Sequence, residues 1–399
     1  MRLTSYLTAC FALLFCLHNT DCVAWEQITC KLAKNQGNKK RWLTHEYKPV
    51  IDPVSIPEGS PQHAALLQAI KQMNLNPSRF RYVSGGMDNV DGVGVANGES
   101  EIWMKDLGAD RSHISATEQS DADYSSSCTA TESDIIINSH YRPAREPVNI
   151  NKIDYSTTKS QMFEYGGSYG VFRSIVMHEM GHAAGLQHEG DSLNLMGGDY
   201  LLVAQGDTVN PYIGEDAASG LIALYGLADN AQEDISVSHW RYGGKKALGD
   251  GSFFSIHQRS RIFDSANKEL DKHCPYVKPD LSGAPISSCP EPVYKVTPGQ
   301  AVKLELSYEN AGKTTPLHAI VNYYVSDDAV IDISDTVLAT KTLAFKRDST
   351  PATFSTDLVV PKALISGKPY WLGCIVDANN QLAESFETNN ATYIGIVVK

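Results

Sequence analysis

The chain opens on an apolar stretch, Tyr6 to Leu17, interrupted only by Thr8. Arg2 precedes it, and His18 to Ala24 follows, with small residues at Cys22 and Ala24. That pattern predicts a signal peptide over residues 1–24 and hence a secreted protein. The apolar core is shorter than the ~20 residues a bilayer-spanning helix needs, so no transmembrane anchor is expected. Residues 25–60 lack strong periodicity. Ser60-Pro61 then supplies a helix cap and a first helical position, and Leu66, Leu67, Ile70 and Met73 recur at helical spacing through 61–73. Short apolar runs at Phe80–Val83, Glu101–Met104 and Asp134–Ile137 predict strands. Further helices are expected over 169–184 and 215–225, the second stopped by Gly226. A helix, strands and two more helices predict an α+β domain over 25–226.

Beyond Gly226 the pattern changes to alternation. Ile235–Tyr242 and Phe253–Phe263 read as two strands flanking a Gly/Lys loop, in a segment, 227–290, set apart as a β-rich linker or small subdomain. Val302, Leu304, Leu306 and Tyr308 alternate with polar neighbours, as in a half-buried strand. Strands are also expected at 318–325, 337–344, 370–376 and 391–398, which makes residues 291–399 an all-β, Ig-like sandwich.

Apolar residues are 42% of the chain, enough for packed cores. The formal net charge of −12 excludes nucleic acid and anionic membrane as natural partners, because both recruit basic surfaces. Cys10, Cys16 and Cys22 leave with the signal, and Cys30, Cys128, Cys274, Cys289 and Cys374 remain. Export favours disulfides. Cys30–Cys128 and Cys274–Cys289 are the suggested pairs among several open ones, with Cys374 left as a small apolar residue in a strand.

The chemistry concentrates in His178-Glu-Met-Gly-His182-Ala-Ala-Gly-Leu-Gln-His188, with Met196 shortly after. On a helix, His178 and His182 project from one face and can share an ion. Glu179 points towards the same cleft without serving as a ligand. Gly185, free to adopt a left-handed backbone, turns the chain so that His188 supplies a third nitrogen. Three neutral imidazoles leave one position of a Zn2+ ion open, as a catalytic site requires, and Glu179 is placed to act as general base.

These residues match the pattern His-Glu-x-x-His-x-x-Gly-x-x-His, with Met196 in the place of the Met-turn, so the chain resembles a metzincin zinc metallopeptidase. The spacing from His188 to Met196 resembles the matrixin branch, as does the segment Ile213–Gly226. The resemblance implies that His178, His182 and His188 bind the metal, that Glu179 is the base and that Met196 forms an apolar floor. Glu189 resembles astacin-like enzymes instead, Tyr200 lies too far from Met196 for a switch tyrosine of that kind, and no cysteine-switch segment is evident. Cys30 as a thiolate cap on the zinc is an alternative to its disulfide. Asp88, Asp91, Asp121 and Asp123 sit in loops where structural Ca2+ is an open option, without assigned ligands.

Residues 293–399 resemble the cell-adhesion-related (CARDB-like) β-sandwich of bacterial exported proteins. The carriers are Val296-Thr-Pro-Gly299, Glu309-Asn-Ala-Gly312, Val325–Asp335 and Val376–Asn390. The implied role is attachment to a cell-surface or matrix ligand, or else passive stability. The expected function is a secreted zinc endopeptidase acting on extracellular proteins and peptides. The rival is a non-catalytic secreted adhesin or carbohydrate-binding protein that keeps a peptidase fold.

Overall fold

The structure, a computed structural model, describes residues 39–89, 97–106, 115–121, 128–139, 172–197, 202–205, 208–248, 252–273, 292–348 and 350–399. The signal segment, Cys30, Asp91, Asp123, Tyr200, Cys274 and Cys289 lie outside these residues, as does the side chain of Asp121.

Helix α1, Pro61–Met73, begins as its sequence dictates. The Ser60 hydroxyl accepts from the His63 N–H at 3.1 Å, and Pro61 needs no partner for its nitrogen. Ala65, Leu66, Ala69, Ile70 and Met73 face the core, whereas Leu67, expected in the apolar stripe, is exposed. Helix α2, Phe172–Ala183, is buried on almost every side, and it carries the first two histidines. Helix α3, Gly214–Tyr225, ends at Gly226, whose φ of 80° takes a conformation that side chains resist. Strands β1 (Glu46–Tyr47) and β3 (Arg81–Tyr82) pair in parallel, the second shorter than the Phe80–Val83 run suggested. Strands β2 (Val50–Ile51), β4 (Glu101–Lys105), β5 (Ser115–Asp121) and β6 (Ala130–Asn138) form a mixed sheet in the order β2-β4-β6-β5, with β5 antiparallel at its edge. Ile51, Ile102, Ile135 and Ile137 from this sheet share one core with α1, α2 and α3.

A short antiparallel pair, β7 (Leu202–Gln205) and β8 (Thr208–Pro211), leads into α3. After α3 the two runs expected as continuous strands are each broken, and the halves go to different places. Ile235–Tyr242 divides into β9 (Ile235–Ser238) and β10 (Trp240–Ala247), and Phe253–Phe263 into β11 (Phe253–Arg259) and β12 (Ile262–Asp264). The break points are tied together by a bond from the Ser260 N–H to the His239 carbonyl at 2.8 Å. His239 Nδ1 also meets Thr392 Oγ1 at 2.7 Å, which fixes the bend against the last strand of the chain. β9 and β12 both pair with β15 (Ala301–Asn310), while β10 and β11 form a separate antiparallel hairpin.

The sandwich is made of two sheets. One contains β9, β12, β15 and β18 (Ala352–Val359). The other runs β13-β14-β20-β19-β16-β17, with β13 at Lys272–His273, β14 at Val293–Val296, β16 at Leu317–Ser326, β17 at Thr336–Phe345, β19 at Pro369–Val376 and β20 at Ala391–Val398. Their facing residues include Val302, Leu304, Leu306, Val321, Tyr323, Leu372, Cys374 and Ile396. β18 was not expected from the sequence, because most of its residues are exposed and leave no apolar alternation to read. Cys374 is a free, buried thiol as expected, and Cys128 is disulfide-bonded. Among the described residues β-structure therefore dominates, with three α-helices, and no helix is long and apolar enough to cross a membrane.

Candidate metal centre

The C-terminal half of α2 is held by donors reaching it from outside the helix. Tyr82 donates its hydroxyl to the Met180 carbonyl at 3.2 Å, Trp42 its indole N–H to Ala183 at 2.7 Å, and Tyr225 its hydroxyl to Ala184 at 2.6 Å. The Ala183 and Ala184 carbonyls are ones that a helix end otherwise leaves open, whereas the Met180 carbonyl also accepts from the Ala184 N–H at 3.0 Å. The chain then reverses at Gly185, with φ of 99°. The Gly185 N–H donates to the His182 carbonyl at 2.8 Å and the Leu186 N–H to the Gly181 carbonyl at 3.0 Å, a Schellman closure. A Cβ at position 185 would stand 2.6 Å from the Lys40 carbonyl oxygen, so glycine is required for space as well as for conformation.

This turn brings His188 back over the helix. The ligand-capable atoms of His178, His182 and His188 all lie within 4.8 Å of one another. His178 Nδ1 donates to the Leu195 carbonyl and His182 Nδ1 to the Leu186 carbonyl, each at 2.8 Å, with the direction set by the carbonyl being only an acceptor. Both rings are thereby fixed in the tautomer that leaves a lone pair on Nε2, the arrangement typical of metal-ligating histidine. His182 Nε2 lies 3.1 Å from His188 Nε2. A tetrahedral ion with Zn–N bonds of ~2.0–2.1 Å would separate two such nitrogens by about 3.3 Å. The donor set therefore fits a metal ion of this kind. Burial first, then the neighbouring His182, pushes the His178 pKa down to about 3, while its bond to the Leu195 carbonyl opposes the shift. His178 is neutral at physiological pH, as a ligand must be.

Glu179 follows His178 on α2 and is 4% exposed. Met196 is buried beneath the helix, and its thioether occupies the space that a side chain at Gly181 would need. The Glu189 N–H bonds the Met196 carbonyl at 3.4 Å and closes the loop that follows His188. Among the described residues the histidine triad is the group with metal-ligating spacing. Asp88 is exposed, and its Oδ1 accepts from the Asn89 N–H at 2.8 Å.

Sequence reasoning missed a neighbour from far along the chain. Phe254 of β11 lies edge-on to His188, with ring centroids 4.3 Å apart, and 6.4 Å from His178. No local signal marks it, since its partner is set by the hairpin's placement and not by spacing.

No family model matches this chain, and no curated protein matches it. Several solved structures are similar to part of it at low scores. The CARDB domain of a Pyrococcus furiosus protein, in complex with di-metal ions, is 17% identical over 26% of this chain and 79% of that chain, with a TM-score of 0.21. An AA10 lytic polysaccharide monooxygenase from Streptomyces lividans is 17% identical over 29% of this chain and 62% of that one, with a TM-score of 0.16. A DUF3823 family protein from Bacteroides ovatus is 10% identical over 43% and 90%, with a TM-score of 0.20. Likeness at this level carries no argument about activity, which rests on the site itself.

Proposed function

We propose that this protein is a secreted zinc-dependent endopeptidase of metzincin type, with His178, His182 and His188 as metal ligands and Glu179 as general base. The observation that carries the reading is the convergence of three imidazoles, two of them locked through Nδ1 onto backbone carbonyls. A bound zinc would supply Lewis acidity, polarising the scissile carbonyl and easing deprotonation of water. The chain's own residues do the rest. Leu195 and Leu186 orient the first two rings, and Gly185 sets the turn that returns the third. Glu179 accepts the proton of the attacking water at its carboxylate and delivers it to the leaving amine nitrogen. Met196 and the apolar core beneath it keep water from the underside of the site. Extracellular proteins and peptides are the proposed substrates, and the sandwich the proposed element of attachment to a surface or matrix.

The test is Glu179→Ala. General-base catalysis contributes ~10²–10⁴-fold, so peptide turnover should fall by about 10³ while zinc stays bound and the unfolding transition is kept. Near-normal cleavage would refute the role of Glu179. A protein that binds zinc but cleaves no peptide in its wild-type form would favour the non-catalytic reading.

A further inference from the structure

His178 and His182 ride on a helix, but His188 stands in irregular backbone between Gly185 and Met196. That backbone is held by bonds within the loop, such as Asn194 Nδ2 to the Ser192 carbonyl at 2.8 Å, and by bonds from the β10–β11 hairpin. The Ser255 N–H donates to the Glu189 carbonyl at 2.9 Å, next to the third histidine. The Tyr242 hydroxyl donates to the Gly190 carbonyl at 2.9 Å. Asn194, deeper in the loop, donates its side-chain amide to Ser255 Oγ at 3.1 Å and its backbone N–H to His257 Nε2 at 3.4 Å. Lys245 pairs with Asp191 at 2.7 Å on the outside. The surfaces meet without clearance, since a Cβ on Gly190 would lie 2.6 Å from the Phe253 Cβ. The His188 ring itself sits between His182, at 3.1 Å through Nε2, and the Phe254 ring, at 4.3 Å between centroids.

Resting on the metal-site reading above, we propose that the β10–β11 hairpin positions the third ligand, with Phe254 as the residue that fixes the His188 ring in its metal-binding orientation. The metal centre is then completed by a segment that follows the helices and is continuous, through β9 and β12, with the sandwich sheet. Phe254 gives the ring a wall that restricts its rotation, and the hairpin's hydrogen bonds restrict the backbone that carries it. Ordering a ligand before the metal arrives raises affinity, and residues that orient ligands are worth 10–100-fold in metal binding.

The experiment is calorimetric zinc titration of the full chain as wild type, Phe254→Ala and Tyr242→Phe, with visible spectra of the cobalt-loaded proteins to report ligand geometry. The expected results are a zinc Kd raised about 10-fold or more in Phe254→Ala, a smaller rise of about 3-fold in Tyr242→Phe, and a changed cobalt spectrum in the first. Phe254→Leu, which keeps apolar bulk, should recover part of the loss. If wild type binds zinc through the histidines and folded Phe254→Ala binds it equally well with an unchanged spectrum, this proposal falls and the metal site stands. Should Phe254→Ala fail to fold, unchanged affinity in Tyr242→Phe would overturn it. Wild-type protein that binds no zinc would overturn both readings.

Discussion

The C-terminal end of α2 and the N-terminal end of α3 each gather buried polar side chains, but the valences of those side chains are spent differently. At α2, His178 and His182 use one ring nitrogen on a backbone carbonyl and turn the other towards a common centre. At α3, Glu215 Oε1 accepts from the Asp348 N–H at 2.7 Å and Oε2 from the Asn310 N–H at 3.0 Å. Glu309, reaching in from β15, accepts from the Tyr212 hydroxyl at 2.6 Å and from the Glu215 N–H at 2.9 Å. All four oxygens of Glu215 and Glu309 are engaged by protein donors, so this pair joins the helical region to the sandwich, while Asp216 beside them is buried with neither carboxylate oxygen hydrogen-bonded. Burial and shifted acidity occur in both places. Convergent lone pairs distinguish a candidate site from a structural joint.

That distinction is sharpened most strongly by Glu309→Ala. It leaves the Tyr212 hydroxyl and the Glu215 amide without their acceptor, and each buried unsatisfied group costs about 1–3 kcal/mol. Denaturant unfolding should show a loss of roughly 2–6 kcal/mol with zinc content unchanged. Zinc loss in that variant would break the comparison by showing that the two helix ends depend on each other.

Gly185→Ala strikes the other end. Its φ of 99° and the nearby Lys40 carbonyl oppose any side chain, and residues held in such conformations cost about 1–3 kcal/mol. Both the thermal midpoint and zinc affinity should fall, because the strained turn is the one that places His188. A variant with normal zinc affinity would separate the turn from the ligand.

The smallest effect concerns pH in the metal-free protein. Burial pushes Glu215 up to about 8 and Glu309 up to about 7, and in the adjoining seam Asp234 up to about 7 and Glu384 up to about 8. A raised folded-state pKa means that the native protein holds more protons than the unfolded chain. Their contribution to stability is complete below the ordinary carboxyl values of 3.8 and 4.5 and is lost progressively as pH rises from there through about 7 to 8. The unfolding midpoint should therefore decline over that range, and Glu309→Gln should flatten the decline. An identical slope in the variant would remove Glu309 from the account.

The two helix ends also differ in how far the sequence could describe them. Ser60-Pro61, Gly226 and the run from His178 to His188 act through neighbours within a few residues, so spacing alone locates their elements and the triad. Glu309 meeting Glu215, and Phe254 meeting His188, are contacts between segments that only tertiary folding brings together. The breaks at His239 and Ser260 were hidden for the same reason. Apolar positions shift phase at His239, from Ile235 and Val237 to Trp240 and Tyr242, and lapse between Ile256 and Ile262, but the cross-bond that bends both strands links residues on different strands.

The central claim is that His178, His182 and His188 hold one divalent metal ion. Its most direct test is elemental analysis of the dialysed full chain beside a His178→Ala, His182→Ala, His188→Ala variant of preserved fold. The account predicts one zinc per chain in the wild type and none in the variant. Zinc retained by the triple variant, or a wild type that cannot be loaded, would contradict it.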